Sequence, residues 1–382
     1  MKRLLFVSNG HGEEAIAGRL ATDLQEVSQV TCDHMGLVGA HNPPSKMQQV
    51  GPRRAMPSGG LIAMGNVRNI IGDFRSGLVG HTLAQLRFLQ RMGAGYDATV
   101  AVGDTVALLM AKVARSTYTI FVGTAKSLYV APYGPLEERV MRRADAVFVR
   151  DEPTAARLRS HGVPAQAPGN VIVDLFSERL PAVPPFAQRL ALFPGSRDSA
   201  YADSVFLCGV VRGLSLFRPN LGATLSIAPG LDPRRFRTLL ETDGWSVVPG
   251  RGVESPFALA AHGQTVIDAW TGPPGAMLEG ALLVLGQAGT ANEAGAGLGI
   301  PVAAFAYPGM RHHGWYRMRQ RKLLGGAMRM IAGDARRAAQ SVEALLEDEP
   351  ARAAMSRLGR ERMGAAGGSA AIAAKIAAMV ND

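Results

Sequence analysis

Cysteine is nearly absent: Cys32 and Cys208 are the only two. That is too few for a disulfide framework or a cysteine-based zinc site, and it makes a reducing compartment, the cytoplasm, the expectation. No run of about 20 apolar residues occurs, so no membrane-spanning segment is expected. The opening Met1-Lys2-Arg3-Leu4-Leu5-Phe6-Val7 ends at Ser8-Asn9-Gly10, short of a signal-peptide core. There is no aromatic-basic repeat and no helix-turn-helix signature, so nucleic acid is not the expected partner. Charged residues are sparse, 19% against 47% hydrophobic, which places the chain outside the disordered class.

Glycine and positive charge, by contrast, are abundant. Glycine accounts for 45 of 382 residues, with no collagen-like period, so the excess belongs in tight turns and at close backbone approaches. Lys+Arg number 41 against 31 Asp+Glu, a formal net charge of +10, which favours anionic partners such as phosphorylated small molecules or an anionic membrane surface. The length suits two domains.

Short apolar runs alternate with helix-period stretches throughout. Leu4–Ser8, Thr99–Val102, Thr119–Val122 and Ala146–Val149 read as buried strands, with helices such as Glu13–Val27 and Thr105–Ala114 between them. That is the rhythm of a parallel sheet. The proline-rich stretch Leu180–Pro185 breaks it and marks a linker. The rhythm restarts with strands at Leu190–Phe193, Thr224–Ile227, Ser246–Val248, Val266–Ala269, Leu282–Leu285 and Val302–Phe305. The expected organisation is therefore an α/β fold of two doubly wound, Rossmann-like domains, 1–183 and 184–348, with closing C-terminal helices over 349–382. One segment stands apart: from Leu61 to Met92, Met64, Val67, Ile70, Ile71, Phe74, Leu78, Leu86 and Leu89 recur at helical spacing, with Arg68, Arg75, Arg87 and Arg91 between them. It reads either as a helix pair covering the sheet or as a basic amphipathic surface for a membrane or an acyl chain.

Four strand-to-helix loops carry chemistry. In Ser8-Asn9-Gly10-His11-Gly12-Glu13-Glu14, glycine allows a tight turn whose amides and helix N-terminus face a ligand. Two acidic residues in the first helical turn would oppose a pyrophosphate there, so Gly10, Gly12 and Glu13 are assigned to an acceptor or sugar. His11 is a candidate general base or a loop histidine bonded to backbone. In Val102-Gly103-Asp104-Thr105, Asp104 suits a helix N-cap and also stands at the strand's carboxyl end, where α/β sheets place active-site groups. In Pro194-Gly195-Ser196-Arg197, a glycine turn is joined by a hydroxyl and a guanidinium able to grip phosphate. In Gly289-Thr290-Ala291-Asn292-Glu293, Thr290 with Glu293 fits a capping box. The same residues could instead hold a diphosphate and a ribose, and Gly295, Gly297 and Gly299 in the following helix call for close packing.

Together these loops resemble the lipid-A-disaccharide synthase family of glycosyltransferases. Phe193-Pro194-Gly195-Ser196-Arg197 is similar to the family's Leu-Pro-Gly-Ser-Arg, and Ala276–Ala281 leads into Gln287-Ala288-Gly289-Thr290-Ala291-Asn292-Glu293 much as the family's Ala-Ser-Gly-Thr-Ala…Glu is reached. Leu61–Val67, Tyr96-Asp97, Asp104 and Gly169-Asn170…Asp174 follow the family's order. The chain departs from the family on the acceptor side: Arg68 replaces a Glu, the first loop reads Gly10-His11-Gly12-Glu13, and only Gly103-Asp104-Thr105 remains of the Ile-Asp-Ala-Pro-Asp context. The resemblance therefore marks a divergent member.

The resemblance implies a GT-B-like pair of facing domains and inverting, metal-independent transfer of a sugar from a UDP-sugar to a lipid or lipid-linked acceptor. No Asp-x-Asp stands near a strand end, so no metal site is assigned, and no cofactor beyond the UDP-sugar co-substrate. The catalytic candidates are His11 and Asp104. Gly195, Ser196, Arg197, Thr271, Gly289, Thr290, Asn292 and Glu293 are the candidates for the UDP-sugar, with the Trp270-Thr271-Gly272 turn bordering the uracil. A UDP-N-acetylglucosamine 2-epimerase-like enzyme and a non-catalytic UDP-sugar or lipid-binding relative are the alternatives, and a homodimer is compatible with either. The segment Arg311–Leu324 gathers Arg317, Arg319, Arg321 and Lys322 beside Trp315 and Tyr316, which suits peripheral docking on an anionic inner membrane face or else a plain solvated helix.

Overall fold

The computed structural model describes residues 1–38, 47–53, 78–261, 263–310 and 314–381. Residues 61–77 of the amphipathic segment, Arg68 among them, lie outside these. Its remainder forms the helix Leu78–Met92.

The chain divides into two compact units, Met1–Asp174 with Ala366–Asp382, and Leu175–Ala365. The first holds a seven-stranded sheet: β1 (Lys2–Ser8), β2 (Val30–Gly36), β3 (Gln48–Gln49), β4 (Ala98–Gly103), β5 (Tyr118–Gly123), β6 (Ala146–Val149) and β7 (Ala165–Gln166). Their order is β3-β2-β1-β4-β5-β6-β7, and every pairing is parallel. Leu4–Val7 of β1 and Val100–Val102 of β4 are buried, as central parallel strands covered on both faces must be. Chain order reverses at β1, whose neighbours are β2 and β4, and such a switch point opens a crevice at the strands' carboxyl ends.

The second unit holds β8 (Gln188–Phe193), β9 (Leu221–Ser226), β10 (Ser246–Val248), β11 (Ala258–Ala261), β12 (Gln264–Trp270), β13 (Leu283–Gly286), β14 (Val302–Ala306) and β15 (Met328–Ala332). Their order is β10-β11-β12-β9-β8-β13-β14-β15, parallel except for the antiparallel β10-β11-β12 edge. Here β8 is the switch strand, between β9 and β13.

Two Rossmann-like units with closing helices are thus present, but the division falls at Asp174–Leu175, ahead of the proline stretch that sets residue 183 as the expected limit. Residues 349–382 also divide. The helix Glu349–Met363 belongs to the second unit and Gly368–Asn381 to the first, where Ile372, Ile376 and Val380 are buried. Asp174 fixes that return: its two oxygens accept the backbone N–H groups of Gly367 at 2.6 Å and Ser369 at 2.7 Å. Glu349–Asn381 as a whole is long and apolar enough to cross a membrane, yet the chain breaks at Gly364 (φ 80°) into these two helices.

Candidate functional site

Helix starts at the switch points are mixed, as they are elsewhere, where Pro135–Met141 and Pro274–Leu278 lack a side-chain cap. Asp151, Asp232, Asp334 and Asp348 cap helices away from them through side-chain oxygens. Of the four helices that follow the switch strands β1 and β8 and their neighbours β4 and β13, only Thr105–Val113 has such a cap, from Asp104. The helices His11–Val27, Ala200–Ser215 and Gly289–Gly297 start behind Gly10, Ser199 and Ala288 with no side-chain cap bond. In Ala200–Ser215 the Ala200 and Tyr201 amides already donate to the Arg197 and Asp198 carbonyls, and in His11–Val27 the Glu13 amide meets its own carboxyl; it is the first turn of Gly289–Gly297 whose amides remain for another acceptor, where the positive end of the helix dipole favours an anion.

In the second unit the loop after β13 is held from three directions. The Gln287 backbone N–H donates to Phe193 O at 2.8 Å, tying the loop to the end of β8. Its side chain pairs with the Phe305 backbone of β14. Asn292, with no exposed surface, donates from Nδ2 to Gly286 O and to Gln320 Oε1, both at 3.2 Å, while Gln320 Nε2 donates to Gly289 O at 3.1 Å. A loop locked in this way keeps its N–H groups aimed without reorganisation. Two expectations change as a result. Asn292 lies beneath the loop and cannot touch a ligand. The capping box does not form either, because the helix begins at Gly289, which makes Thr290 a first-turn residue rather than the cap. Gln320 carries no motif that sequence reasoning could have used.

Thr290 is exposed and Glu293 half-buried on that first turn. After β8, Ser196 and Arg197 are exposed, and Gly195 adopts φ 124° with open space where a Cβ would stand. Only glycine takes that conformation readily, so the turn leaves bare backbone beside a free guanidinium. Thr271 is committed elsewhere: its hydroxyl donates to the Glu254 carbonyl at 3.0 Å. Trp270 is buried, with Nε1 donating to Pro273 O, so it cannot stack on a base. The glycine-rich helix packs as closely as its composition demands. A Cβ on Gly295 would meet Val284, and one on Gly359 of the helix Glu349–Met363 would meet the Ala296 carbonyl.

In the first unit the loops after β1 and β4 meet. Gly103 has φ 130°, and a Cβ there would overlap Asn9 Oδ1 and lie 3.1 Å from Glu13 Cγ. Asp104 Oδ1 accepts from Val106 N at 2.9 Å and Ala107 N at 3.2 Å, which fulfils its capping role. Glu13 is half-buried on the first turn, and burial, aided by the Asp104 charge, raises its pKa against the pull of its own backbone N–H. Glu14 behind it is likewise raised, by burial and by Glu13, with Arg53 pulling the other way. Gly12 is exposed. The His11 side chain lies outside the described residues; its backbone opens the helix. Beneath the loop, Ser8 Oγ lies 2.8 Å from His34 Nε2 and Gln49 Oε1 lies 2.9 Å from Nδ1, and burial lowers the His34 pKa.

The basic helix Gly314–Leu324 does not present its cations alike. Arg317 Nη1 donates to Phe305 O at 3.4 Å, Arg319 is half-buried, and Arg321 and Lys322 are exposed. Arg362 caps its far end, donating from Nε to Leu323 O at 2.7 Å. Among the described residues, no group of three or more His, Cys, Asp and Glu side chains is arranged to hold a metal ion.

Neither a protein-family model nor a curated protein sequence matches the chain. Solved structures do match in fold. CalG4, the calicheamicin glycosyltransferase, superposes with TM-score 0.66 at 14% identity, over 100% of this chain and 98% of that one. The Phytolacca americana UGT2, solved with UDP-2fluoro-glucose and pterostilbene, gives 0.60 at 13%, over 100% of both chains. The Neisseria meningitidis UDP-GlcNAc 2-epimerase, bound to UDP-GlcNAc, gives 0.56 at 14%, again over 100% of both. The fold is thus the GT-B-like one found in glycosyltransferases and in UDP-sugar epimerases alike; a likeness to lipid-A-disaccharide synthase in particular is not among these matches.

Proposed function

We propose that the chain is a UDP-sugar-dependent glycosyltransferase that works with inversion, without a metal, on a lipid-type hydroxyl acceptor at an anionic membrane surface in the cytoplasm. The observation that carries this reading is the uncapped start of Gly289–Gly297 at the carboxyl end of β13, in a loop held by Gln287, Asn292 and Gln320. The N–H groups of its first turn donate to the diphosphate, and Glu293 accepts from the ribose hydroxyls. Ser196 and Arg197 on the neighbouring loop offset charge that grows on the leaving UDP as the sugar's anomeric bond breaks. The first unit supplies the acceptor loops, Gly10–Glu13 and Asp104. That structures of like fold were solved with UDP-2fluoro-glucose and UDP-GlcNAc adds support for the donor.

The epimerase fold is equally near, so the test separates the two chemistries. Incubated alone with UDP-N-acetylglucosamine, a transferase leaves the sugar's configuration unchanged and releases UDP when an acceptor is added. Appearance of a second UDP-sugar without acceptor would replace this reading with epimerisation. Absence of any UDP-dependent thermal shift at millimolar ligand would remove the donor assignment itself.

A further inference from the structure

We propose that one helical face of the first unit docks an acidic amphipathic helix of a partner protein; the proposal stands apart from the transferase reading above. Three helices form that face: Leu78–Met92, Thr105–Val113 and Pro135–Met141, with Thr105–Val113 packed between the other two. Their inward residues, Leu89, Leu108 and Met141 among them, join one core with the sheet. Their outward residues leave large apolar side chains in solvent. Along the middle helix Val106 is 56% exposed and Leu109, one turn on, 50%, while the flanking helices add Leu83 at 46% and Leu136 at 79%. A single exposed leucine is ordinary, but four such side chains on one face mark an interaction site.

Arginines border the apolar middle on both sides. On Leu78–Met92, Arg87 and Arg91 follow Leu83 at i+4 and i+8 and so share its outward row. Across the middle helix, Arg139 follows Leu136 by one turn, and Arg143 stands in the turn after that helix. All four are exposed, with no ion pair among the described residues. Nearby acids do not neutralise them. Leu78–Met92 and Thr105–Val113 contain none. Glu137 pairs with Lys126 at 2.5 Å, Glu138 is buried beside His161 at 2.9 Å, and Asp145 accepts from Thr119 N at 2.7 Å. Lys112 is engaged too, donating to the Arg143 carbonyl.

The order of these groups selects the occupant. An apolar ridge between two rows of guanidinium groups complements a helix that carries an apolar stripe between two rows of carboxylates. Neighbouring helices sit about 8–10 Å apart, so the rows stand roughly 16–20 Å apart, and a helix about 10–12 Å across fits over the middle one. Arginine also grips a carboxylate through two parallel bonds and is the cation that protein interfaces enrich, whereas lysine is depleted there. A lipid surface has no need of linear order and favours interfacial aromatics, and among the described residues these helices expose no Trp, Tyr or Phe. A second copy of this face would set arginine against arginine.

The test titrates the full chain against a labelled synthetic peptide of three heptads, with leucine at a and d and glutamate at e and g, read by fluorescence anisotropy. Saturable binding at micromolar protein is expected. Arg87→Glu with Arg139→Glu, and separately Val106→Asp with Leu109→Asp, should each weaken it at least about tenfold at unchanged melting temperature. Arg321→Gln with Lys322→Gln, on the second unit, should leave it within threefold of wild type, and a peptide with lysine in place of glutamate should not bind. No binding by wild type, binding of the lysine peptide, or equal binding by both pairs of variants would overturn the proposal. Vesicles of phosphatidylcholine with phosphatidylglycerol are the second probe: a greater loss on vesicles than on the peptide in the Arg87→Glu, Arg139→Glu variant would make the face a lipid site and overturn it as well.

Discussion

Asn292 and Gln320 form a latch under the loop after β13: Asn292 Nδ2 donates to Gln320 Oε1 at 3.2 Å, and Gln320 Nε2 donates onward to the Gly289 carbonyl at 3.1 Å. The two side chains come from separate helices, Gly289–Gly297 and Gly314–Leu324, so the latch joins the basic helix to the proposed diphosphate site. Gln320→Ala should lower UDP affinity about tenfold through loss of loop order, with stability reduced by about 1 kcal/mol, the usual net value of one such bond. Calorimetric titration beside thermal melting checks both.

Gly286 holds the space that the latch needs. A Cβ there would overlap Asn292 Oδ1, which is buried with no hydrogen-bond partner. Gly286→Ala should therefore destabilise by about 1–3 kcal/mol, the range for overpacking a close contact. A change of less than about 0.5 kcal/mol in urea unfolding would mean that the amide moves aside freely.

The Asp174 clasp on Gly367 and Ser369 secures the returning C-terminal helix. Asp174→Ala should cost about 1–2 kcal/mol, as expected for the loss of a helix cap made by a charged acceptor. Because the clasp stands next to the Gly364–Gly367 break, the variant should also be cut there first in limited proteolysis, releasing a fragment that begins near Ser369.

The raised pKa of Glu13 carries a stability consequence. The folded state holds the proton more tightly than the unfolded chain, so the stability tied to that proton is full below the ordinary carboxylate range and is lost as pH rises through the folded value. Glu13→Gln, which cannot charge, should melt higher than wild type at pH 8, and the difference should fade by about pH 4, near the pKa of an unperturbed Glu. Equal melting temperatures at both pH values would contradict the burial of a charged carboxylate.

On the basic helix, the exposed pair should dominate any docking on lipid. Arg321→Gln with Lys322→Gln should weaken partition onto anionic vesicles by roughly 30-fold, from about 1 kcal/mol per basic residue near the surface. Arg317→Gln should change it little, because that guanidinium is turned to Phe305 O. Vesicle co-sedimentation at low and high salt distinguishes the two sets.

Much of the fold could be read from apolar runs bounded by glycine. Central strands such as Leu4–Val7 and Val100–Val102 are buried on both faces and so read as continuous apolar stretches. β2 escaped because Asp33 and His34 interrupt it, and both polar groups are satisfied at long range: Asp33 by Arg3 and Tyr96, His34 by Ser8 and Gln49. No local pattern announces such partners. The same holds for the loop after β13. The glycines and first-turn residues stood out in sequence, whereas the inward role of Asn292 and the part of Gln320 depend on a helix that meets the loop only in the folded chain. Gly169-Asn170…Asp174 was visible as a motif, but its purpose was not, because the amides that Asp174 accepts lie at 367 and 369.

The proposed function requires the second unit to bind UDP against the start of Gly289–Gly297. Calorimetric titration with UDP, run on wild type and on Arg197→Ala, tests it most directly. Wild type should show saturable one-site binding, and the variant should bind about tenfold or more weakly, from loss of a charge-assisted phosphate contact of about 1.5–3 kcal/mol. No heat of binding at millimolar UDP, or equal affinity in the two proteins, would contradict it.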